Sequence, residues 1–535
     1  MKKLYFIKVI ALSILICSAS LLTNAQAPSF SWQKTFGGSG DDFGGNMIKT
    51  SDGNYIVCGT TTSSDGDFSI NRGDYDAFAI KFDADGNFIW SKTYGGSAYD
   101  DFTNIIETDN GGFLITGTTA SNDGDVSGNH GGEDIWLVRL SSTGNIVSQK
   151  CFGGSGDEYN GPSSLGLIKT HDHNYMFAAV TNSSDGDVPQ NLGGNDGWVV
   201  KINRHGNIIF SKIYGGSADD DITSIMELND SKYVIAGTTH SIDGTGIGNH
   251  GDADYMLIKI GTTGNVKWSR CYGGSGSDIF HEGVGVFNNI IALGGSTTSS
   301  DGDVTGFHGG ADSWVIKINA QNGNIKWANC FGTALTETLL DLLKTNDGYV
   351  FVDAVDSAGY CCFETWDAQA AKISNSGNEE WSKIFGGSDF DQVNTGLETD
   401  DDGLLLNCVT TSTDGDITNN HGGPEDGWLV KLKSNHNRFS INSEGSAINS
   451  TNNLNIFPNP FSNSTTISFS LSQSQNVSLN IYDVNGRLIK TLANNVFEKG
   501  KHSIEWNVER VNAGIYFLQI QSTEFSKTER LILTK

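Results

Sequence analysis

Two carboxylate positions recur along the chain at fixed places relative to a repeated aromatic residue. Six residues after the aromatic stand Asp42, Asp100, Glu158, Asp220, Asp278, Glu337 and Asp391. Just before a short apolar run stand Asp76, Asp134, Asp196, Asp254, Asp312, Asp367 and Asp426. A third element, Asp-Gly-Asp, supplies Asp65 and Asp67, Asp123 and Asp125, Asp185 and Asp187, Asp301 and Asp303, and Asp414 and Asp416. His-Gly follows at His130, His250, His308 and His421.

Four readings of these residues are open. An Asp at the start of a strand accepts backbone N–H bonds and organises a Gly-rich turn, a role that a repeated scaffold needs in every unit. Closely spaced Asp oxygens with loop carbonyls are also the ligands Ca²⁺ prefers, so the ten Asp-Gly-Asp carboxylates are calcium candidates. They lack the terminal Glu of an EF-hand loop. One His per loop without Cys partners is a weak zinc signal. Paired carboxylates could serve glycoside cleavage. There is no His-Glu-x-x-His, no phosphate-binding Gly loop followed by Lys, and no nucleophile elbow, because Gly37-Gly-Ser-Gly-Asp41 lacks the last glycine.

The elements that carry these residues form a repeat. Trp32-Gln-Lys-Thr-Phe36-Gly-Gly-Ser returns as Trp90-Ser-Lys-Thr-Tyr94-Gly-Gly-Ser, then around Phe152, Tyr214, Tyr272, Phe331 and Phe385, at intervals of 58, 58, 62, 58, 59 and 54 residues. Each unit holds four strand signals, as in Asn46–Thr50, Tyr55–Gly59, Phe78–Phe82 and Phe88–Lys92. A Gly-Asn turn before the fourth (Gly86, Gly144, Gly206, Gly264, Gly323, Gly377) sets the hairpin register. Four antiparallel strands in each of seven units predict a β-propeller over residues 26–433. The first unit begins at a fourth strand (Phe30–Phe36) and the last stops after a third (Trp428–Lys433). The N-terminal strand is therefore expected to complete the last sheet and close the ring. The repeat breaks once, at Ser357–Trp366, where Tyr360, Glu364 and Trp366 are candidate sugar-binding residues.

The ends differ from the middle. Lys2, Lys3 and Lys8 precede an apolar run with small residues near Ala25, which predicts a signal peptide over residues 1–25. Ile16 before Cys17 argues against a lipoprotein site. Residues 434–453 read as a Ser/Asn-rich linker. The formal net charge is −28; the two basic ends leave −33 on residues 26–453. That charge argues against nucleic acid as a partner. No later segment is apolar for the ~18 residues needed to span a bilayer. Cys58 and Cys408 share one repeat position, and Cys151, Cys271 and Cys330 another; equivalent positions in different units lie too far apart to bridge, and all five read as small buried hydrophobes.

The C-terminal region carries Ile456-Phe-Pro-Asn-Pro-Phe461, then Val477–Lys490 with Asn485-Gly486, Gly500–Trp506, Ala513–Leu518 and Lys527–Lys535. Residues 454–535 resemble the C-terminal sorting domain of type IX secretion cargo of Bacteroidota. The resemblance implies an Ig-like β-sandwich, recognition by the type IX secretion machinery, passage across the outer membrane, and release or surface attachment. The repeat region resembles propeller-like repeats of such secreted proteins. Asp83–Ile89 shares part of the bulb-type lectin mannose motif, without its leading Gln or closing Tyr.

The sequence therefore predicts an all-β protein: a seven-bladed β-propeller followed by a small Ig-like sandwich. The reading is a secreted or cell-surface binding or adhesion module for an extracellular glycan or protein. The alternative is a carbohydrate-active enzyme or lectin-like glycan binder using the acidic loop face. No cofactor is expected other than possible calcium.

Overall fold

The computed structural model describes residues 26–161, 165–287, 289–345, 347–356, 366–434, 455–457, 459, 461–471, 474–483, 487–508, 511, 514–521 and 526–534. The described residues contain no helix. They fall into two compact units, divided after His436.

The larger unit is built from four-stranded antiparallel sheets, or blades. Strand β1 (Phe30–Phe36) comes first. Blade 1 is β2 (Asp42–Lys49), β3 (Tyr55–Thr61), β4 (Asp76–Phe82) and β5 (Phe88–Tyr94). Blade 2 is β6 (Asn104–Glu107), β7 (Phe113–Thr119), β8 (Asp134–Leu140) and β9 (Ile146–Phe152). In blade 3 the first strand is split into β10 (Glu158–Tyr159) and β11 (Leu167–Lys169), followed by β12 (Tyr175–Thr181), β13 (Asp196–Ile202) and β14 (Ile208–Tyr214). Blade 4 is β15 (Ser224–Glu227), β16 (Tyr233–Thr239), β17 (Asp254–Ile260) and β18 (Val266–Tyr272). Blade 5 is β19 (Asp278–Phe287), β20 (Ile290–Thr297), β21 (Asp312–Asn319) and β22 (Asn324–Phe331). Blade 6 is β23 (Glu337–Lys344), β24 (Gly348–Asp356), β25 (Trp366–Ser374) and β26 (Glu379–Phe385). Blade 7 is β27 (Asp391–Glu398), β28 (Leu404–Thr410) and β29 (Asp426–Leu432), with β1 as its fourth strand.

The ring closes in two ways. The first strands of the blades contact one another in the cycle β2, β6, β11, β15, β19, β23, β27 and back to β2, so they are the innermost. The outer edge of blade 7 is closed by β1 pairing with β29, Thr35 opposite Trp428 and Phe36 opposite Gly427. The fold is a seven-bladed β-propeller.

Its core is distributed. Each of the seven blade-to-blade junctions has its own apolar cluster. Phe78, Trp136, Trp198, Trp314 and Trp428 on the third strands are wholly buried there. The fourth-strand Trp column lies further out and packs on the next blade's hairpin: a Cβ on Gly86 would lie 2.9 Å from the Trp32 ring, and Gly86 has φ +77°. Only glycine satisfies both limits. The five cysteines Cys58, Cys151, Cys271, Cys330 and Cys408 are buried and reduced, as small hydrophobes would be; Cys361 and Cys362 lie outside the described residues.

Strands run longer than their apolar patterns. The sequence places the third strand of blade 1 at Phe78–Phe82, whereas pairing extends it to Asp76, opposite Thr61. While Asp100 and Asp220 form isolated bridges ahead of β6 and β15 and Asp367 follows Trp366 in β25, most of the recurrent carboxylates are thus the first residues of strands. They are polar yet buried, which breaks the hydrophobic pattern used to find strand ends.

The smaller unit has two antiparallel sheets. One holds β30 (Asn455–Phe457), β31 (Ser464–Leu471) and β34 (Gly500–Asn507). The other holds β32 (Gln475–Asp483), β33 (Leu488–Phe497), β35 (Gly514–Gln521) and β36 (Ser526–Leu533). Phe469 and Trp506 of one sheet share a core with Leu479, Leu518 and Leu531 of the other, which makes a β-sandwich. The Asn485-Gly486 turn lies outside the described residues.

Removal of residues 26–36 takes away β1 and leaves β29 as an unpaired edge. This truncation is expected to lower the melting temperature of the propeller by at least 10 °C and to promote association on gel filtration. An unchanged melt would mean that β1 does not close the ring.

Candidate functional site

The two recurrent carboxylate sets meet at every blade junction. Asp42 begins the innermost strand of blade 1 and Asp426 begins the third strand of blade 7; both are wholly buried. A Cβ on Gly37 between them would lie 2.5 Å from Asp42 Oδ2 and 2.6 Å from Asp426 Oδ1. Equivalent glycines separate Asp76 from Asp100 (Gly95), Asp134 from Glu158 (Gly153), Asp196 from Asp220 (Gly215), Asp254 from Asp278 (Gly273), Asp312 from Glu337 (Gly332) and Asp367 from Asp391 (Gly386). The first glycine after the aromatic is therefore required by the acids on either side of it.

The two acids are held differently. Asp42 accepts bonds from Thr61 Oγ1, Ser63 Oγ (2.9 Å) and the Gly38 amide (2.8 Å). Asp100, Asp278 and Asp391 repeat the amide and Ser bonds. The third-strand acid is tied through Oδ2 alone to the loop before it. His130, His250 and His308 each bring both backbone N–H and ring Nδ1 to Asp134, Asp254 and Asp312. In blade 1 Arg72 does the same work on Asp76. The His-Gly residues thus fasten a carboxylate. His421 gives only its backbone N–H to Asp426, at 2.8 Å.

The other oxygen, Oδ1, of Asp76, Asp134, Asp196, Asp254, Asp312 and Asp426 is buried without a hydrogen-bond partner. Burial, with the neighbouring acid, pushes the carboxyls of Asp76, Asp134, Asp196 and Asp254 up, and burial with Asp67 pushes Asp426 up. Burial, opposed by its donors and aided by Asp426, raises Asp42 to about 6. Burial, opposed by the Leu192 amide and aided by Asp220, raises Asp196 to about 6.

The calcium candidates occupy the loop after the second strand. Asp65, Asp123, Asp185, Asp301 and Asp414 each accept the amide of the Ser that follows the double glycine, at 2.7–2.8 Å. Asp67, Asp125 and Asp416 accept the amide of the first glycine, at 3.1, 3.4 and 3.3 Å. Asp187 and Asp303 donate their own backbone N–H to the first glycine's carbonyl. These carboxylates strap one loop to the next. Among the described residues no three His, Cys, Asp or Glu side chains gather as a metal site.

A further cluster occupies the positions just beside the repeated acids. Tyr75 Oη donates to Asp41 (3.1 Å) and Tyr99 Oη to Asp101 (3.1 Å). The Tyr75 ring lies 5.8 Å from Tyr99 and 6.4 Å from Phe43. Tyr159 follows Glu158 in blade 3, at the place of Asp101 in blade 2 and Asp221 in blade 4, and is 36% exposed. Burial raises its phenol, and Asp221, Asp219, Glu133 and Asp157 raise it further. Burial lifts Asp101 and Asp221 to about 6, against the amides of Thr118 and Thr238 that bind them. Blades 1 to 4 therefore present tyrosines interleaved with carboxylates at one end of the innermost strands. The repeat comparison passes over these residues because they vary from unit to unit. Their signal is variable positions flanking the fixed acids. Trp366 takes the place of Tyr75 in blade 6, one residue before Asp367, and pairs with Asp356. Tyr360 and Glu364 lie outside the described residues.

Comparison with known proteins decides the C-terminal unit. Residues 455–534 match the family described as "Secretion system C-terminal sorting domain". The C-terminal unit is a type IX secretion sorting domain. A protein carrying this sorting domain is secreted or held at the outer cell surface. No helix of the described residues is long and apolar enough to cross a membrane.

No curated protein matches the chain. Among solved structures it is similar to a fungal alcohol oxidase of the AA5 family in complex with copper: 10% identity, 95% of this chain and 100% of that one covered, TM-score 0.42. It is similar to the Pseudomonas brassicacearum lignostilbene dioxygenase: 10% identity, 71% and 88% covered, TM-score 0.35. It is also similar to the Trypanosoma rangeli sialidase in complex with the inhibitor DANA: 7% identity, 92% and 84% covered, TM-score 0.34. Nothing about the chemistry of this chain follows from likeness at that level.

Two outcomes are expected ahead of the sorting domain. A carboxyl near 6 in the fold and near 3.9 when unfolded penalises the folded state once it ionises, by about 1.4 kcal/mol per unit of difference. Stability present at pH 4 is thus lost as pH rises through about 6. Asp196→Asn would place an amide N–H against Asp220 and is expected to raise the melting temperature at pH 8 with little effect at pH 5. A fall at pH 8 would contradict the paired-acid geometry. Backbone amides already bind the Asp-Gly-Asp carboxylates, so EDTA is expected to leave the melt unchanged; a drop restored by added Ca²⁺ would make these carboxylates ligands.

Proposed function

We propose that this exported protein is a surface binding or adhesion module that takes a carbohydrate at the Tyr75–Tyr99–Tyr159 rim. The observation that carries the reading is the alternation of half-exposed phenol rings with carboxylates. Sugar C–H faces pack on aromatic rings, and sugar hydroxyls donate to carboxylates such as Asp101, Asp219 and Asp221. The rim stands at the ends of paired strands, whose register is fixed by the blade, so the groups are preorganised. Residues 1–25 would direct export, residues 434–453 would link the units, and the type IX machinery would engage the sorting domain. The extracellular partner is then a glycan displayed outside the cell.

A second reading rests on Asp101 and Asp221. Carboxyls at about 6 change protonation near neutral pH, as a general acid or base must. This would make the rim a carbohydrate-active site with Tyr159 between the two acids.

A polysaccharide array probed with the exported protein separates the two. Binding that Tyr159→Ala reduces at least tenfold, without release of reducing sugar, is the expected result. Binding unaffected by Tyr159→Ala and by Tyr99→Ala would remove the rim from the account. Release of reducing sugar that Asp221→Asn abolishes would support the enzyme.

A further inference from the structure

The third strands carry a cation near the far end of each blade. Lys81, Lys201, Lys372 and Lys431 each pair with an Asp in the turn joining the first two strands of their own blade: Asp52, Asp172, Asp347 and Asp401. Lys259 reaches Asp230 at 3.8 Å. Blade 2 departs from this pattern twice. Arg139 replaces the lysine, and Asn110 occupies the place of the aspartate. Asp109 beside it pairs with Lys169 of blade 3 instead.

Arg139 is thereby left without its acid and turns toward blade 3. Its Nη2 donates to the Arg204 carbonyl at 3.3 Å, and its guanidinium lies 5.6 Å from the Tyr175 ring. Lys150, on the outermost strand of blade 2, donates to the Gly206 carbonyl at 3.4 Å. Arg204 and His205 sit in the same hairpin turn, with Arg204 Nε 3.2 Å from His205 Nε2. These four residues line a cavity of about 380 Å³ with Gln149 and with Leu137 at its floor. Among the described residues none of the four is ion-paired with a carboxylate, in a domain that carries −33. The larger cavity between blades 4 and 5, about 710 Å³, contains Asp303 as well as Arg270, so its charges offset.

We propose that the cavity between blades 2 and 3 is a binding site for a tetrahedral oxyanion, a sulfate or phosphate group. Three cations converge from a third strand, a fourth strand and a hairpin turn. Approach from three directions suits a doubly charged tetrahedral anion better than a planar carboxylate. The two guanidinium groups offer forked N–H donors, while Lys150 contributes a compact charge. The acidic remainder of the domain repels anions only at long range, and at 0.15 M salt its field is screened beyond about 8 Å. The site lies at the end of the blades opposite the tyrosine rim, so a glycan carrying sulfate esters could be held there independently of the rim.

The test is isothermal titration calorimetry on the full chain with three probes: sodium sulfate, sodium phosphate and dextran sulfate. Wild-type protein is expected to bind at least one of them. Arg139→Gln and Arg204→Gln are expected to weaken that binding tenfold or more. Asn110→Asp restores the acid found in five other blades (Asp52, Asp172, Asp230, Asp347 and Asp401) and is expected to weaken binding likewise, with a melting temperature equal to or above wild type. Binding of dextran sulfate alone assigns the ester on a polymer as ligand; binding of the simple salts assigns the inorganic anion. Absence of binding to all three probes, or binding that both arginine variants retain in full, would overturn the proposal.

Discussion

A pair of carboxylates pressed against one glycine holds every junction of this propeller, and all of the fourteen but Asp367 are buried. Each pair takes one acid from the third strand of a blade and one from the innermost strand of the next, and the glycine leaves just enough room for both. Burying two like charges together is costly unless donors compensate. The compensation is local: a Thr or Ser hydroxyl and a backbone amide on the inner acid, and a loop amide on the other, joined by a His or Arg side chain at Asp76, Asp134, Asp254 and Asp312. The Gly-Gly-Ser, Asp-Gly-Asp and His-Gly motifs are thus parts of one knot. It fixes where each blade starts relative to the last, and the seven apolar clusters pack in the register it sets.

That arrangement explains why so acidic a domain can be compact. The buried acids are either hydrogen-bonded or raised in pKa, and most exposed ones strap neighbouring loops. What is left over is informative. Tyrosines and acids beside the knots in blades 1 to 4 have no repeated structural duty, and they form a surface suited to a polyhydroxylated ligand. At the opposite end, one Asp-to-Asn difference leaves Arg139 without an acid, beside Lys150 and Arg204. In both places function is sought where the repeat departs from itself, because a scaffold uses the same residue seven times and a binding site does not.

Much of the architecture was legible in the sequence. The Gly-Asn hairpin turns fixed the outer strand pairs, and Phe30–Phe36 at the start of the chain announced ring closure. The third-strand tryptophans were recognisable as core. The strand starts were harder, because Asp42 and Asp76 are buried polar residues and no hydrophobic pattern includes them. The pairing of Asp42 with Asp426 spans almost the whole domain and follows only from closure. The tyrosine rim was hidden because Tyr75, Tyr99 and Tyr159 align with Glu, Asp and Gln in other units. Asn110 was visible, but its meaning required seeing that Asp52 and Asp172 neutralise lysines. Tyr360 and Glu364, drawn from the break in the repeat, lie outside the described residues, and only Trp366 of that group takes the place of a rim residue, Tyr75.

The central claim is that the recurrent acids are buried structural pairs, and the titration of their carboxyl groups tests it most directly. Carbon-13 NMR of the Asp side-chain carboxyls across pH 3 to 9 would read Asp42 and Asp196 individually, with Asp42→Asn and Asp196→Asn for assignment. The account predicts apparent pKa values near 6 for both. Values at or below about 4, the range of a solvated aspartate, would contradict it.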